Sequence, residues 1–290
     1  MSCPPTVRVA LVSRADNVAF IREVLAGLGE AVDLDGALDD VKTAVSEACN
    51  NVVMHAYDGR EGPLEVEMLL LPGALEVIVR DHGVGIGSQA GAEAAAADQM
   101  TSFGPGHGLG LAVISTLADE LELRPREPAG LEVVMRFALA PPGHGSSRPE
   151  ATSQPQGFDW PTAPDGEVQL SIAPASLSAA VLSRVVCATA ARAGFSIDRL
   201  SDAQLVADAL AAHLEPALSG PVVTLALKGE QRRLELALGP LRPGGSRSAV
   251  ASSAVGELGP VIERLTDELG VRESDASELL TLVMLDDTRA

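Results

Sequence analysis

The sequence predicts an α/β fold, an α+β two-layer sandwich in which helices cover one face of a mixed, mostly antiparallel sheet. Three observations predict it. Leu38, Val41, Val45, Ala48 and Val52 recur at three- and four-residue steps within residues 38–57, which makes one buried helical stripe. Residues 64–71 and 74–80 are apolar runs joined by Pro72-Gly73, the pattern of an antiparallel hairpin. A glycine-rich run, Gly104-Pro105-Gly106-His107-Gly108-Leu109-Gly110, opens directly onto an apolar helix holding Leu111, Val113, Ile114, Leu117 and Leu121.

Size and composition narrow the class. A chain of 290 residues with 46% hydrophobic residues can bury two cores of ordinary size. Aromatics are 2%, so Leu, Val, Ile and Ala must fill those cores. No apolar run approaches the ~18 residues of a membrane helix and the N-terminus lacks the pattern of a signal peptide, so a soluble, cytoplasmic protein is expected. Cys3, Cys49 and Cys187 have no metal-ligand spacing, and Cys49 and Cys187 fall in predicted helices as small buried thiols. A formal net charge of −19 opposes phosphate backbones and anionic lipid, which excludes nucleic acid and membrane surfaces as partners and favours a basic protein.

In chain order, residues 6–12 alternate as a strand. Asp16 or Asn17 is placed to cap a helix over 18–28, which Gly29 ends. The central helix, 38–57, carries a second row at i, i+4 and i+8, Glu47, Asn51 and His55, at the edge of its buried stripe. An Asp58-Gly59 turn leads into the hairpin. Alternation with Leu75, Val77 and Val79 turns Asp81 toward the interior where its strand ends. Gly83 and Gly85 follow, with no side chains to keep a ligand from the backbone. Residues 87–104 are small and polar without periodicity, as in a loop. Glycines opening the next helix leave backbone N–H groups and the positive end of its dipole for phosphate oxygens. Residues 131–139 supply a last strand.

Taken in order, these pieces resemble the nucleotide-binding boxes of the gyrase and histidine-kinase ATPase superfamily: an Asn box (Glu47, Asn51, His55), an Asp-Gly box (Asp81, Gly83, Gly85) and a second Gly box (Gly106, Gly108, Gly110). Within it, SEACNNVVMHAY and GHGLGLAVISTLADELEL are most similar to the bacterial anti-sigma-factor serine kinases of the RsbW and SpoIIAB type, over roughly residues 5–140. The resemblance implies ATP and Mg²⁺ as cofactors. It makes Asn51 the Mg²⁺ ligand, Asp81 the acceptor of the adenine amino group, and Gly83 and Gly85 the glycines that admit the nucleotide. It makes residues 87–107 a lid, and Gly106, Gly108 and Gly110, with His107 and Leu109 between them, the phosphate cradle. Glu47 would be the base that takes the proton of a substrate serine, and His55 a structural residue at the helix end. The implied partners are a sigma factor and an anti-anti-sigma (STAS) protein. GHGLGLA departs from the GRGLFL-like form of many anti-sigma kinases, since His107 replaces a basic residue. That departure favours a second reading, a nucleotide-gated binding protein without phosphoryl transfer. A sensor histidine kinase is not expected, because only about 35 residues precede the domain and none forms a histidine-bearing hairpin.

The predicted domains are 1–140, the ATPase-like domain; 141–166, a Pro-, Gly- and Ser-rich linker that includes Trp160; and 167–290. The last repeats the element order of the first: strand 168–172, helices 177–193 and 200–214, hairpin 222–227 and 234–238, helix 261–269, strand 279–285. Val113-Ile114-x-x-Leu117-x-Asp119-Glu120-Leu121 recurs 148 residues later as Val261-Ile262-x-x-Leu265-x-Asp267-Glu268-Leu269. In this alignment Asp208 stands for Glu47, Ala212 for Asn51, Pro240 for Asp81 and Arg242 for Gly83. The second half is therefore expected to be a degenerate copy in a regulatory or interaction role, a partner for the first in an intramolecular pseudo-dimer or in a dimer of chains. An unrelated small α/β domain is the competing expectation.

Overall fold

The structure is a computed structural model that describes residues 4–32, 34, 36–83, 108–139, 167–254, 259–274 and 276–287. Gly85, Gly106, His107, the rest of the expected lid, Cys3 and the linker with Trp160 lie outside the described residues. Backbone contacts divide the chain into two compact units. One is built on Arg8–Arg22 and Asp33–Gln154, the other on Met1–Val7, Glu23–Val32 and Pro155–Ala290.

The first half runs β1 (Thr6–Val12), α1 (Ala15–Ala31), α2 (Leu38–Asn51), a π turn (Val52–Ala56), β2 (Pro63–Leu71), β3 (Ala74–Asp81), α3 (Gly108–Leu117), β4 (Glu120–Pro125) and β5 (Leu131–Ala138). Its strand order is β4-β5-β3-β2-β1, and the β2/β3, β3/β5 and β4/β5 ladders are antiparallel. Val41, Ala44, Val45, Ala48 and Val52 are buried, so the predicted stripe of α2 is its core face. The outer face of the sheet carries a small apolar cluster, Leu69, Ile78 and Val134, beside charged residues. Glu67 bridges Arg8 at 2.8 Å and Arg80 at 2.7 Å, and Arg80 reaches Glu132 at 2.7 Å, so each buried carboxylate and guanidinium has a partner across the strands.

Three local readings are corrected. Gly29 does not end α1, which continues to Ala31 with Asn17 inside it, and the Asn17 side chain donates to the Val12 carbonyl at 2.7 Å. Gly27 has a packing reason: a Cβ there would lie 2.7 Å from the Ala180 carbonyl oxygen of the same unit. The helix expected over 38–57 changes to i→i+5 bonding after Asn51, which absorbs one extra residue and takes His55 off the Glu47–Asn51 row. Leu121 belongs to β4, not to the preceding helix.

The second half runs β6 (Val168–Ala173), α4 (Ser178–Arg192), α5 (Ile197–Leu214), β7 (Val223–Glu230), β8 (Arg233–Leu241), α6 (Gly245–Ser252), α7 (Val261–Leu265), β9 (Glu268–Ser274) and β10 (Ser277–Leu285). Its strand order, β6-β7-β8-β10-β9, repeats that of the first half strand for strand. The ladders agree: Val66 pairs with Val79 and Val79 with Val133, as Leu225 pairs with Leu238 and Leu238 with Leu280. The αβ joint recurs bond for bond. Asp119 donates its N–H to the Arg136 carbonyl and accepts the Ala138 N–H at 2.7 Å; Asp267 donates to the Val283 carbonyl and accepts the Leu285 N–H at 2.7 Å. Residues 261–269 are therefore a short helix and a strand, the same correction as at Leu121.

Candidate functional site

Glu47 and Asn51 lie one turn apart on α2, half-buried beside its core stripe. The first turn of α3 reaches them at Gly110, which is buried. A Cβ on Gly110 would stand 3.1 Å from Asn51 Oδ1, 3.3 Å from Glu47 Oε2 and 3.4 Å from Asn51 Nδ2. A side chain at Gly110 would press on both, so glycine gives the helix terminus its close approach to them. Two oxygen donors thus converge on the first turn of a helix, a combination suited to a hard cation and the phosphate oxygens it neutralises. A Mg²⁺ ion held by one or two side chains takes its remaining ligands from phosphate and water, so the residues present fit it. Among the described residues no cluster of three or more His, Cys, Asp or Glu side chains offers a cage made of protein alone.

Asp81 ends β3 and is 5% exposed. Its Oδ1 accepts the Gly83 N–H at 2.8 Å, and among the described residues Oδ2 has no hydrogen-bond partner. Gly83 answers to the protein itself: a Cβ there would lie 2.0 Å from the Ala56 carbonyl oxygen, at the end of the π turn. Gly130, at φ +115°, lies under the Asp81 carbonyl, where a Cβ would come within 2.2 Å. The Asp81–Gly83 turn is thereby set against the end of the helical segment that carries Glu47 and Asn51. Gly108 and Leu109 begin α3 as backbone.

Sequence reasoning missed Tyr57. Its hydroxyl donates to the Pro63 carbonyl at 2.5 Å and accepts the His82 N–H at 2.8 Å. Burial raises its pKa above the ordinary tyrosine value. A signal was present, because Tyr57 is the single tyrosine of the chain. Cys49 is fully buried, and burial pushes its thiol pKa up; Cys187 is half-buried.

The counterpart site in the second half is built from other residues. The buried positions Ala203, Val206, Ala207, Leu210 and Leu214 of α5 repeat the spacing of Val41, Ala44, Val45, Ala48 and Val52. Burial therefore moves the helix alignment by one residue, so that Ala209 stands for Glu47 and His213 for Asn51. With Leu238 at the ladder position of Val79, Pro240 aligns with Asp81 and Arg242 with Gly83. The start of α7 is already satisfied: Val261 N–H donates to the Ser253 carbonyl at 3.1 Å and Ile262 N–H to Ser253 Oγ at 3.3 Å.

Comparison with known proteins bears on the first half. The family profile of the histidine kinase-like ATPase domain matches residues 11–137. The anti-sigma F factor of Clostridium kluyveri is 31% identical over 135 residues, 45% of this chain and 92% of that protein. The serine-protein kinase RsbW of Bacillus mycoides is 33% identical over 136 residues, 44% of this chain and 82% of that protein. Among solved structures, the RsbU and RsbW domains of a Mycobacterium tuberculosis protein align with 98% of this chain and 88% of that one, at 10% identity and a TM-score of 0.26, a likeness too slight to carry an argument. No described helix is long and apolar enough to cross a membrane. With a relative 31% identical and matched over 92% of its own length, the chain belongs to the anti-sigma-factor and RsbW-type serine-kinase family of histidine kinase-like ATPase domains.

Proposed function

We propose that the chain is an ATP-dependent serine kinase that binds a sigma factor and phosphorylates an anti-anti-sigma protein of the STAS type, with Mg²⁺-ATP taken up by the first unit. The observation that carries this reading is the approach of Gly110 to Glu47 and Asn51. Asn51 Oδ1 is the Mg²⁺ ligand and the α3 start, from Gly108 to Gly110, meets phosphate oxygens. Asp81, buried and with Oδ1 on the Gly83 N–H, accepts from the adenine amino group through Oδ2. Gly85, Gly106, His107 and Leu109 belong to the same proposal by family likeness. Mg²⁺ neutralises phosphate charge when bound. Glu47 takes the proton from the incoming serine hydroxyl as its oxygen bonds to the terminal phosphorus and the bond to the leaving phosphate oxygen breaks. One turn from the metal ligand, its carboxylate lies within reach of a hydroxyl directed at that phosphorus.

Incubation with labelled ATP and a candidate STAS protein tests the proposal. Transfer to serine is expected in the wild type, and Glu47→Ala should lower it by roughly 10²–10⁴-fold while ATP binding persists. The second reading, a nucleotide-gated binding protein, is supported by the second half, which keeps the fold after replacing Glu47, Asn51 and Asp81. Tight ATP binding with no transfer to any STAS partner would favour it.

A further inference from the structure

We infer that Tyr57 is a positioning residue for base selectivity: its hydroxyl fixes the Asp81–Gly83 turn so that Asp81 Oδ2 faces the exocyclic amine of an adenine. The inference rests on the reading of Asp81 as the adenine acceptor and adds a residue outside the nucleotide-binding boxes.

The argument begins with what Asp81 has left to offer. Oδ1 is committed to the Gly83 N–H at 2.8 Å, so the direction of Oδ2 is set by the backbone of residues 81–83. That backbone is held at His82, whose N–H donates to the Tyr57 hydroxyl at 2.8 Å. The hydroxyl gives its own proton to the Pro63 carbonyl at 2.5 Å, so a lone pair, not the proton, faces His82. A phenol carries that proton at neutral pH in any case, and burial raises the Tyr57 pKa above the ordinary tyrosine value.

The ring is equally fixed. It lies against Gly62, where a Cβ would come within 2.3 Å of Cε1. Gly62 is itself tied to Ser13, donating to Oγ at 3.0 Å and accepting from the Ser13 N–H at 2.8 Å. Tyr57 also follows Ala56 directly, and it is the Ala56 carbonyl that Gly83 touches. One side chain therefore joins the helical segment bearing Glu47 and Asn51 to the strand end bearing Asp81. Other side-chain bonds to the turn are longer: Arg126 Nη1 donates to the Asp81 carbonyl at 3.4 Å, and the His82 ring lies 3.2 Å from both Glu65 Oε1 and Arg126 Nη1.

The test compares ATP with inosine triphosphate, which carries a carbonyl where adenine has its amine. Affinities of the full chain for both, with Mg²⁺, are measured by calorimetry for wild type, Tyr57→Phe and Gly62→Ala, with Tm as a control. Tyr57→Phe should weaken ATP about tenfold and leave inosine triphosphate within about twofold, collapsing the preference. Gly62→Ala, which displaces the ring but keeps the hydroxyl, should do the same. Equal loss for both nucleotides alongside a fall in Tm would mark Tyr57 as merely structural and overturn the inference. A variant that keeps the wild-type preference would overturn it and leave the Asp81 reading intact. A wild type with no preference for ATP would remove the Asp81 reading itself, and this inference with it.

Discussion

In the first half, β3 ends in Asp81 and turns through Gly83 onto the Ala56 carbonyl; in the second, the equivalent strand has Pro240 at the aligned position, ends at Leu241 and turns through Arg242, which is exposed. In the first, α3 opens with glycine against Glu47 and Asn51; in the second, α7 opens on Ser253, which takes up its free N–H groups. Between β8 and α7 the second half carries α6, whose Gly245, Ser246, Ala249 and Val250 are buried. The strand order, the ladders and the aspartate at the αβ joint are common to both. The fold thus depends on residues separate from Glu47, Asn51 and Asp81, since the second half keeps the strand order and buried core with other residues at the aligned positions.

The strongest way to break this comparison is to count nucleotides. Calorimetry should give one ATP per chain, and two would mean that the second half keeps a site. Asp81→Asn should weaken that single binding event roughly a hundredfold, because an amide cannot accept at both the Gly83 N–H and an adenine amine. Gly83→Ala should cost about 2–3 kcal/mol in denaturant unfolding, since the new methyl meets backbone and not a movable side chain. At the aligned position Arg242→Ala should stay within about 0.5 kcal/mol, so similar costs at the two sites would undo the alignment. Ser253→Ala should cost about 1 kcal/mol by uncapping α7 and leave ATP affinity unchanged. The smallest effect concerns Glu278, whose carboxylate accepts the Gly244 N–H and, at 3.0 Å, the Ser246 N–H at the start of α6. Those bonds, led by the one from Gly244, hold its pKa below the ordinary glutamate value. The sign follows: the carboxylate's contribution is present above the unfolded-state pKa and is lost as pH falls through the lower folded value. A Tm difference between wild type and Glu278→Gln should therefore exist at pH 7 and vanish in acid.

Much of the fold is legible because its signals are periodic. The stripe of α2, the hairpin at Pro72-Gly73 and the repeat beginning at Val261 all follow from spacing. The errors share one cause, since spacing does not show where a helix stops. Val113, Ile114, Leu117 and Leu121 continue a helical step across a boundary that is made by Asp119 accepting the Ala138 N–H, a partner 19 residues away. The same oversight at Asp267 extended the second helix to Leu269. The π turn was hidden for a related reason, because nothing in Val52–Ala56 distinguishes i→i+5 from i→i+4 bonding. Of the site, Glu47, Asn51 and Asp81 were visible as polar residues at the edge of apolar patterns. Tyr57 stands out only as the single tyrosine of the chain, and its role is not legible, because its two partners are backbone groups brought to it by the hairpin. The one-residue slip at Ala209 arose because a gapless match of small residues scores well in either frame, and only burial separates the two.

The wide turn after Asn51 gives this part of the chain an unequal tolerance to changes in length. It holds one residue more than an ordinary helical turn. Deleting a single amino acid from within it would let regular bonding run through while the flanking segments keep their bearings. Adding one would have no such outlet and would swing everything beyond it by about 100°. A shortened variant at this spot should therefore fold and take up nucleotide, whereas a lengthened one should lose both the tether at Pro63 and the seat beneath Gly83.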